Sequence, residues 1–130
     1  MPRFVLLALM LTVASPNVDV SGEWQMAQTT FNDANGGRED LPCGFSQQGD
    51  RLVGRCGPNA LVGTRRGDSL SWQMVVEFDR HTATLTYEGQ INQGGTAITG
   101  TWHCPKHCEN AAYKNGTFAM ARRRQPTSRF

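Results

Sequence analysis

Two adjacent segments of the chain alternate apolar and polar residues, and this pattern constrains the fold more than any other feature. Between Leu70 and Phe78 the even-numbered residues are apolar and the odd-numbered ones mostly polar. The alternation continues from Thr82 to Ile91, with polar residues now at even positions. A period of two predicts strands with one buried face, and Asp79–His81 between them predicts a hairpin connection. No segment shows the apolar spacing of three and four typical of helices, so we expect almost no helix.

Turn signals divide the rest of the chain into similar segments. Glycine and asparagine in these signals tolerate the positive φ angles that tight hairpins need. The predicted strands lie near 21–31, 41–48, 51–57, 60–66, 69–78, 82–91, 96–104 and 115–123. The predicted turns contain Asn35–Gly37, Gln48–Asp50, Gly57–Asn59, Arg66–Asp68 and Asn92–Gly95. The sequence therefore predicts strands that follow one another through short connections.

Short connections favour an up-and-down order, and such a sheet hides its two free edges most simply by closing. Glycines inside the strands, as in Leu52–Gly54, Leu61–Gly63 and Ile98–Trp102, indicate the bends or close approaches that a small curved barrel requires. We therefore predict an all-β fold, a single eight-stranded antiparallel up-and-down β-barrel, in preference to a sandwich.

A chain of 130 residues has room for one domain. At its start, Arg3 precedes an uncharged run from Phe4 to Ala14, which is typical of an export signal and shorter than the roughly 20 residues that span a bilayer. We therefore expect a secreted or periplasmic protein without stable membrane insertion. The predicted divisions are a signal peptide at 1–14, an N-terminal extension at 15–20, the β-barrel domain at 21–124 and a C-terminal tail at 125–130.

The charge balance argues against a nucleic-acid partner. Removal of residues 1–14 takes away one of 13 basic residues and leaves 12 against 11 acidic residues, a formal charge of +1. The basic run Arg122–Arg124, with Arg129, is interpreted mainly as a solvated tail after the last strand.

Four cysteines in an exported chain indicate two disulfides and no free thiol. If Gly49 and Asp50 form a two-residue turn, counting outward places Cys43 opposite Cys56. A turn one residue earlier would shift this register. The other two cysteines, Cys104 and Cys108, would then close a small loop.

An alternative interpretation makes His103, Cys104, His107 and Cys108 metal ligands, because imidazole and thiolate bind zinc or copper. Their spacing is not Cys-x-x-Cys, and an oxidising compartment removes thiolates. We therefore expect no metal and no cofactor.

No local catalytic signature is present: neither a nucleophile with a base nor a phosphate-binding glycine loop. Glu77 and Glu88 fall on the polar faces of neighbouring predicted strands, where an acid/base pair is the alternative to two solvated carboxylates. We expect the protein not to be an enzyme.

The apolar residues on the inward faces of the predicted strands are the feature that points to a function. An eight-stranded barrel is just wide enough for side chains to fill or for one small ligand, and both interpretations remain open. A pocket lined by tryptophan, tyrosine and methionine would suit a small apolar or aromatic molecule. The candidate ligand-binding residues are Trp72, Met74, Leu85, Tyr87, Trp102 and Phe118.

The two ends of the barrel domain resemble those of the calycin superfamily, which includes lipocalins, fatty-acid-binding proteins and avidins. Gly22-Glu23-Trp24 matches the opening Gly-x-Trp, and Arg122 matches the arginine at the end of the last strand. The resemblance implies that Arg122 lies against Trp24 and closes one end of the barrel. The role implied for Gly22, Trp24 and Arg122 is structural.

The chain also resembles a group of uncharacterised exported bacterial proteins through Asp19–Trp24, Gln47–Gly54 and Gly116–Phe118. A further resemblance is to bacterial metalloprotease inhibitors, small exported barrels whose N-terminal segment enters the protease cleft. Ser15–Asp19 would be that segment here. Ligand binding in or at the mouth of the barrel is therefore the first functional hypothesis, and a protein-interaction module using this segment is the alternative.

Overall fold

A computed structural model describes residues 18–30, 38–78, 81–105 and 115–123. These residues form eight β-strands and no helix. The strands are β1 (Gly22–Thr30), β2 (Arg38–Gln48), β3 (Arg51–Cys56), β4 (Asn59–Arg66), β5 (Ser69–Phe78), β6 (His81–Ile91), β7 (Ala97–His103) and β8 (Asn115–Arg122). The predicted all-β class is confirmed.

Every strand pairs antiparallel with its neighbour in the chain, and β1 also pairs with β8, so the sheet is a closed barrel. Trp24 stands opposite Arg122 in the closing pair, and Thr30 stands opposite Gly116. Closure leaves no free sheet edge, which is the reason for which a barrel was predicted over a sandwich. This architecture is consistent with the resemblance to calycins.

The up-and-down order gives the barrel two different ends. The turns after β2, β4 and β6 lie at the same end as residues 18–22 and the last residue of β8. We call this the sealed end and define it by Val20, Trp24, Arg65 and Arg122. The opposite end, where β1 and β5 finish and β2 and β6 begin, is called the mouth and is defined by Gln28, Leu41, Val76, Ala83 and Leu85.

Strand β2 begins at Arg38, three residues before its predicted start near 41. Residues 38–40 are polar and exposed, so they show none of the alternation from which strands were predicted. They join the sheet through pairing with β1, where Thr29 stands opposite Arg38. An ion pair of 3.1 Å joins Arg38 Nε to Asp40 Oδ1 on the outer surface.

Glycines inside the strands permit the predicted close approaches between neighbouring strands. A Cβ atom on Gly100 would lie 1.9 Å from the carbonyl oxygen of Glu88, and one on Gly54 would lie 1.9 Å from that of Gly44. Neither contact is sterically possible, so any larger residue would force these strands apart.

The inward faces of the strands form one apolar core, whereas Val62 and Val75 on the outer face are more than half exposed. A disulfide joins Cys43 and Cys56, whose Cα atoms are 4.0 Å apart. Gln48 stands opposite Arg51, so the turn register from which this pair was predicted is confirmed. Cys104 is disulfide-bonded as well.

Several predictions concern residues outside the described ranges: the signal peptide at 1–14, residues 15–17 of the extension, the tail at 125–130, His107 and Cys108. Among the residues that are described, no helix has the length and hydrophobicity to cross a membrane.

Candidate functional site: the barrel interior and its mouth

Arg122 lies over the face of Trp24 at the sealed end, with its guanidinium carbon 4.5 Å from the ring centroid. Three backbone carbonyls accept hydrogen bonds from this guanidinium. Nε donates to Gly95 O (3.0 Å), Nη1 to Ser21 O (2.9 Å) and Nη2 to Asp19 O (2.8 Å). The side chain therefore joins the last strand to the N-terminal segment and to the turn between β6 and β7, as a planar fork with several donors can.

Gly22 permits the chain to enter the barrel beside this arginine. Its φ is 126°, which side chains rarely adopt, and a Cβ atom there would lie 3.3 Å from Arg122 Nη1. The spacing of Gly22 and Trp24 thus has a physical reason: the glycine turns the chain, and the tryptophan follows on the inward face.

A second guanidinium, that of Arg65, is buried at the sealed end with only 4% of the residue exposed. Nε donates to Gly67 O (2.8 Å), and Nη1 donates to Val18 O and to Gln47 Oε1 (3.2 Å). Arg65 was not identified from the sequence. The feature that could have revealed it is a charged residue at an inward position of a strand, two residues after Gly63 and four after Leu61.

Gln47 completes the attachment of the N-terminal segment. Its Oε1 accepts a hydrogen bond from the backbone N–H of Val20 (3.0 Å), and its own backbone N–H donates to Ser21 Oγ (2.8 Å). The Val20 side chain is fully buried. Exposed Asp19 accepts a hydrogen bond from the Ser21 N–H (2.8 Å), which lowers the pKa of its carboxyl group. Residues 18–21 therefore form part of the barrel end.

Aromatic rings fill the middle of the barrel. Trp72 stacks on Tyr87 with ring centroids 5.3 Å apart, and Phe45 and Phe118 meet Trp72 edge-on at 5.2 and 5.4 Å. Trp102 lies 6.3 Å from Tyr87 on the mouth side. This packing favours a filled interior in the middle of the barrel.

The chain's three tryptophans are all buried, but their indole N–H groups differ. That of Trp24 donates to Val20 O (2.9 Å), and that of Trp102 donates to Thr29 O (2.9 Å). Among the residues that the structure describes, the N–H of Trp72 has no hydrogen-bond partner. A buried polar group in this condition is unusual in a folded protein.

At the mouth a polar pair lies among apolar side chains. The hydroxyl group of Tyr87 donates to Gln28 Oε1 at 2.5 Å, and both residues are buried. Burial raises the pKa of Tyr87 well above its usual range, so its hydroxyl stays protonated and remains a donor. Gln28 was not identified from the sequence, although a glutamine at the inward position after Trp24 and Met26 is its signal.

Apolar side chains at this end of the barrel keep partial contact with solvent. Leu41 and Val76 are partly buried and pack against the core, and Leu85 is 8% exposed. Val76 stands opposite Ala83 in the β5–β6 pair, and Met74 stands opposite Leu85 one step deeper. Apart from the Gln28–Tyr87 pair, these described inward residues at the mouth are apolar.

The structure brings the six predicted ligand-binding residues together inside the barrel, each of them less than 9% exposed. Met74 and Leu85 form one inward pair, and Trp72 and Tyr87 form the next pair, one step farther from the mouth. Phe118 and Trp102 lie on the neighbouring strands β8 and β7. The three predicted closure residues meet at the sealed end.

The predicted alternatives on the outer surface lack a comparable arrangement. Glu77 stands opposite Thr82, whereas Glu88 stands opposite Ser71, about 20 Å away from Glu77 along β5. The two carboxylates are therefore not brought together. Among the described residues, no group of three or more metal-ligating side chains occurs. His103, one of the predicted metal ligands, is described and is exposed.

A shallow depression of about 530 Å³ lies on the outer face of β4–β7. Its rim carries short hydroxyl side chains with Arg66, Glu88 and Gln90. The floor is formed where Gly89 and Gly100 pair beneath it.

Comparison with models of known protein families finds no match for this chain, and comparison with curated proteins finds no significant one. The function of the protein is therefore inferred from the geometry of the barrel interior.

Proposed function

We propose that this protein is an exported binding protein that takes a small apolar or aromatic molecule into the mouth of its barrel. One observation carries the proposal: the barrel is sealed at one end by two guanidinium groups, while apolar residues at the other end keep partial exposure. A concave apolar surface with a few polar groups is what small-ligand sites present. The Gln28–Tyr87 pair supplies such polar groups.

Export is part of this proposal and is supported by the Cys43–Cys56 disulfide, because disulfides persist in oxidising compartments. It agrees with the charged and apolar start of the sequence and with the resemblance to exported bacterial proteins. The function proposed is binding without chemical conversion of the ligand.

The alternative, an interaction module that inserts its N-terminal segment into a protease, receives less support. It needs that segment to project from the barrel. Val18, Asp19 and Ser21 instead bind guanidinium groups through their carbonyls, and Val20 is buried. Ser15–Asn17, the rest of the proposed segment, lie outside the described residues.

The test uses N-phenyl-1-naphthylamine, a neutral aromatic probe that fluoresces in apolar surroundings. Two neighbouring substitutions on β5 form a matched pair. Val76→Trp places a large ring at the mouth, whereas Val75→Trp places the same ring on the outer face, where Val75 is 55% exposed. Circular dichroism of both variants checks the fold.

We expect saturable binding of the probe to the wild-type protein. Val76→Trp should weaken it at least about tenfold, which corresponds to roughly 1.4 kcal/mol, and Val75→Trp should leave it within about twofold. An absence of saturable binding, or equal weakening by both substitutions, would contradict the proposal.

A further inference from the structure

The indole N–H of Trp72, in the middle of the barrel, is a buried donor without an acceptor in the described part of the chain. Trp72 is 1% exposed, and the atom itself has no contact with solvent. Leaving a buried donor unpaired is costly relative to pairing it, whereas a ring without the N–H would fill the same space without that cost. The other two tryptophans show that this chain can supply a backbone acceptor for an indole, as Val20 and Thr29 do.

The surroundings of Trp72 define which acceptor is suitable. Its ring contacts are Phe45, Tyr87 and Phe118, none of which carries a charge. Among the described residues Arg65 is the buried cation, and it is already engaged with three acceptors at the sealed end. A carboxylate beside Trp72 would thus lie in an apolar environment without a countercharge, which is strongly unfavourable.

The inward residues of the β5–β6 pair lead from the mouth to Trp72. Val76 with Ala83, Met74 with Leu85, and Trp72 with Tyr87 are successive inward pairs. A flat molecule that inserts along these pairs reaches Trp72 and Tyr87 at the same step, where the Tyr87 hydroxyl is already bonded to Gln28 and the Trp72 N–H has no partner among the described residues.

From this geometry we infer that the ligand is an uncharged aromatic or apolar molecule with a hydrogen-bond acceptor, such as a ketone or ether oxygen, at its deepest end, where it pairs with Trp72 Nε1. This inference rests on the proposed binding function and specifies its ligand class. Trp72 is then a specificity-determining residue, because its N–H can pair with the ligand, whereas the hydroxyl group of Tyr87 is already bonded to Gln28.

Three probes of nearly equal shape test the inference by displacement of N-phenyl-1-naphthylamine. 2-Acetylnaphthalene carries the acceptor, 2-ethylnaphthalene replaces the carbonyl with a methylene group, and 2-naphthoate carries a charge. We expect the acetyl compound to bind the wild-type protein about tenfold more tightly than either of the others. Trp72→Phe keeps an aromatic ring but lacks the N–H, so the preference for acetyl over ethyl should fall to within about twofold.

The indole ¹H–¹⁵N signals of the wild-type protein give a second test that needs no variant. 2-Acetylnaphthalene should shift the Trp72 signal, while Trp24 and Trp102, whose N–H groups are already bonded, serve as internal controls. If neither naphthalene binds and the first probe also fails, the proposed function itself is wrong. If both naphthalenes bind equally, or the Trp72 signal does not respond, the proposed binding function is retained and the inference about Trp72 is overturned. An enclosed water bonded to the Trp72 N–H would produce this result.

Discussion

Replacing Arg122 with alanine removes the contact that joins the two ends of the chain at the sealed end. The guanidinium lies 4.5 Å above Trp24 and donates three hydrogen bonds, to the carbonyls of Gly95, Ser21 and Asp19. A cation over an indole contributes about 0.5–2 kcal/mol, and each hydrogen bond contributes about 0.5–1.5 kcal/mol net. Because water replaces part of these bonds at a partly exposed side chain, we expect the free energy of unfolding to fall by about 2–4 kcal/mol.

Urea unfolding followed by tryptophan fluorescence measures this loss, with Arg123→Ala as the matched control. Arg123 forms an ion pair of 3.8 Å with Glu23, and both side chains are more than half exposed. Such surface pairs contribute less than about 1 kcal/mol. A loss below about 0.5 kcal/mol for Arg122→Ala, or equal losses for the two variants, would refute the assignment of barrel closure to Arg122.

Three further predictions test the fold and the interior. Arg65→Ala should lower the free energy of unfolding by about 2–4 kcal/mol, because it removes a buried side chain and three part-buried hydrogen bonds, whereas Arg66→Ala on the outer face should change it by less than about 0.5 kcal/mol in the same urea assay. Gly100→Ala should lower the thermal midpoint by at least about 8 °C, since its Cβ atom would lie 1.9 Å from the Glu88 carbonyl; an unchanged midpoint would contradict the close approach. The raised pKa of Tyr87 means that the native state favours the neutral phenol, so stability is fully present below the unfolded-state pKa of about 10 and is lost as pH rises above it. Unfolding at pH 8 and 10.5 should show this loss in the wild-type protein and a smaller one in Tyr87→Phe.

The strands and their closure were predictable because both follow from local patterns. Alternation around Trp72 and Tyr87 sets the inward face, and the Gly49–Asp50 turn sets the register that brings Cys43 opposite Cys56. Closure then follows from the need to cover two free edges, which does not depend on any particular residue.

The polar residues of the interior were not predictable in the same way. Arg65 and Gln28 occupy inward positions where the pattern leads one to expect apolar side chains, and their acceptors and donors come from distant strands. Whether an inward polar residue finds a partner depends on the tertiary register. The same reason explains Trp72, since nothing in the sequence distinguishes its N–H from those of Trp24 and Trp102.

Mapping where a small apolar or aromatic molecule binds shows whether it enters the barrel through the mouth. Backbone amide ¹H–¹⁵N spectra of the wild-type protein, recorded during titration with N-phenyl-1-naphthylamine, provide that map. We expect saturable shifts concentrated at Gln28, Val76, Ala83 and Leu85, with little change at the turns of the sealed end. Saturable shifts confined to the outer depression around Glu88 and Gln90, or no saturable shifts at all, would contradict it.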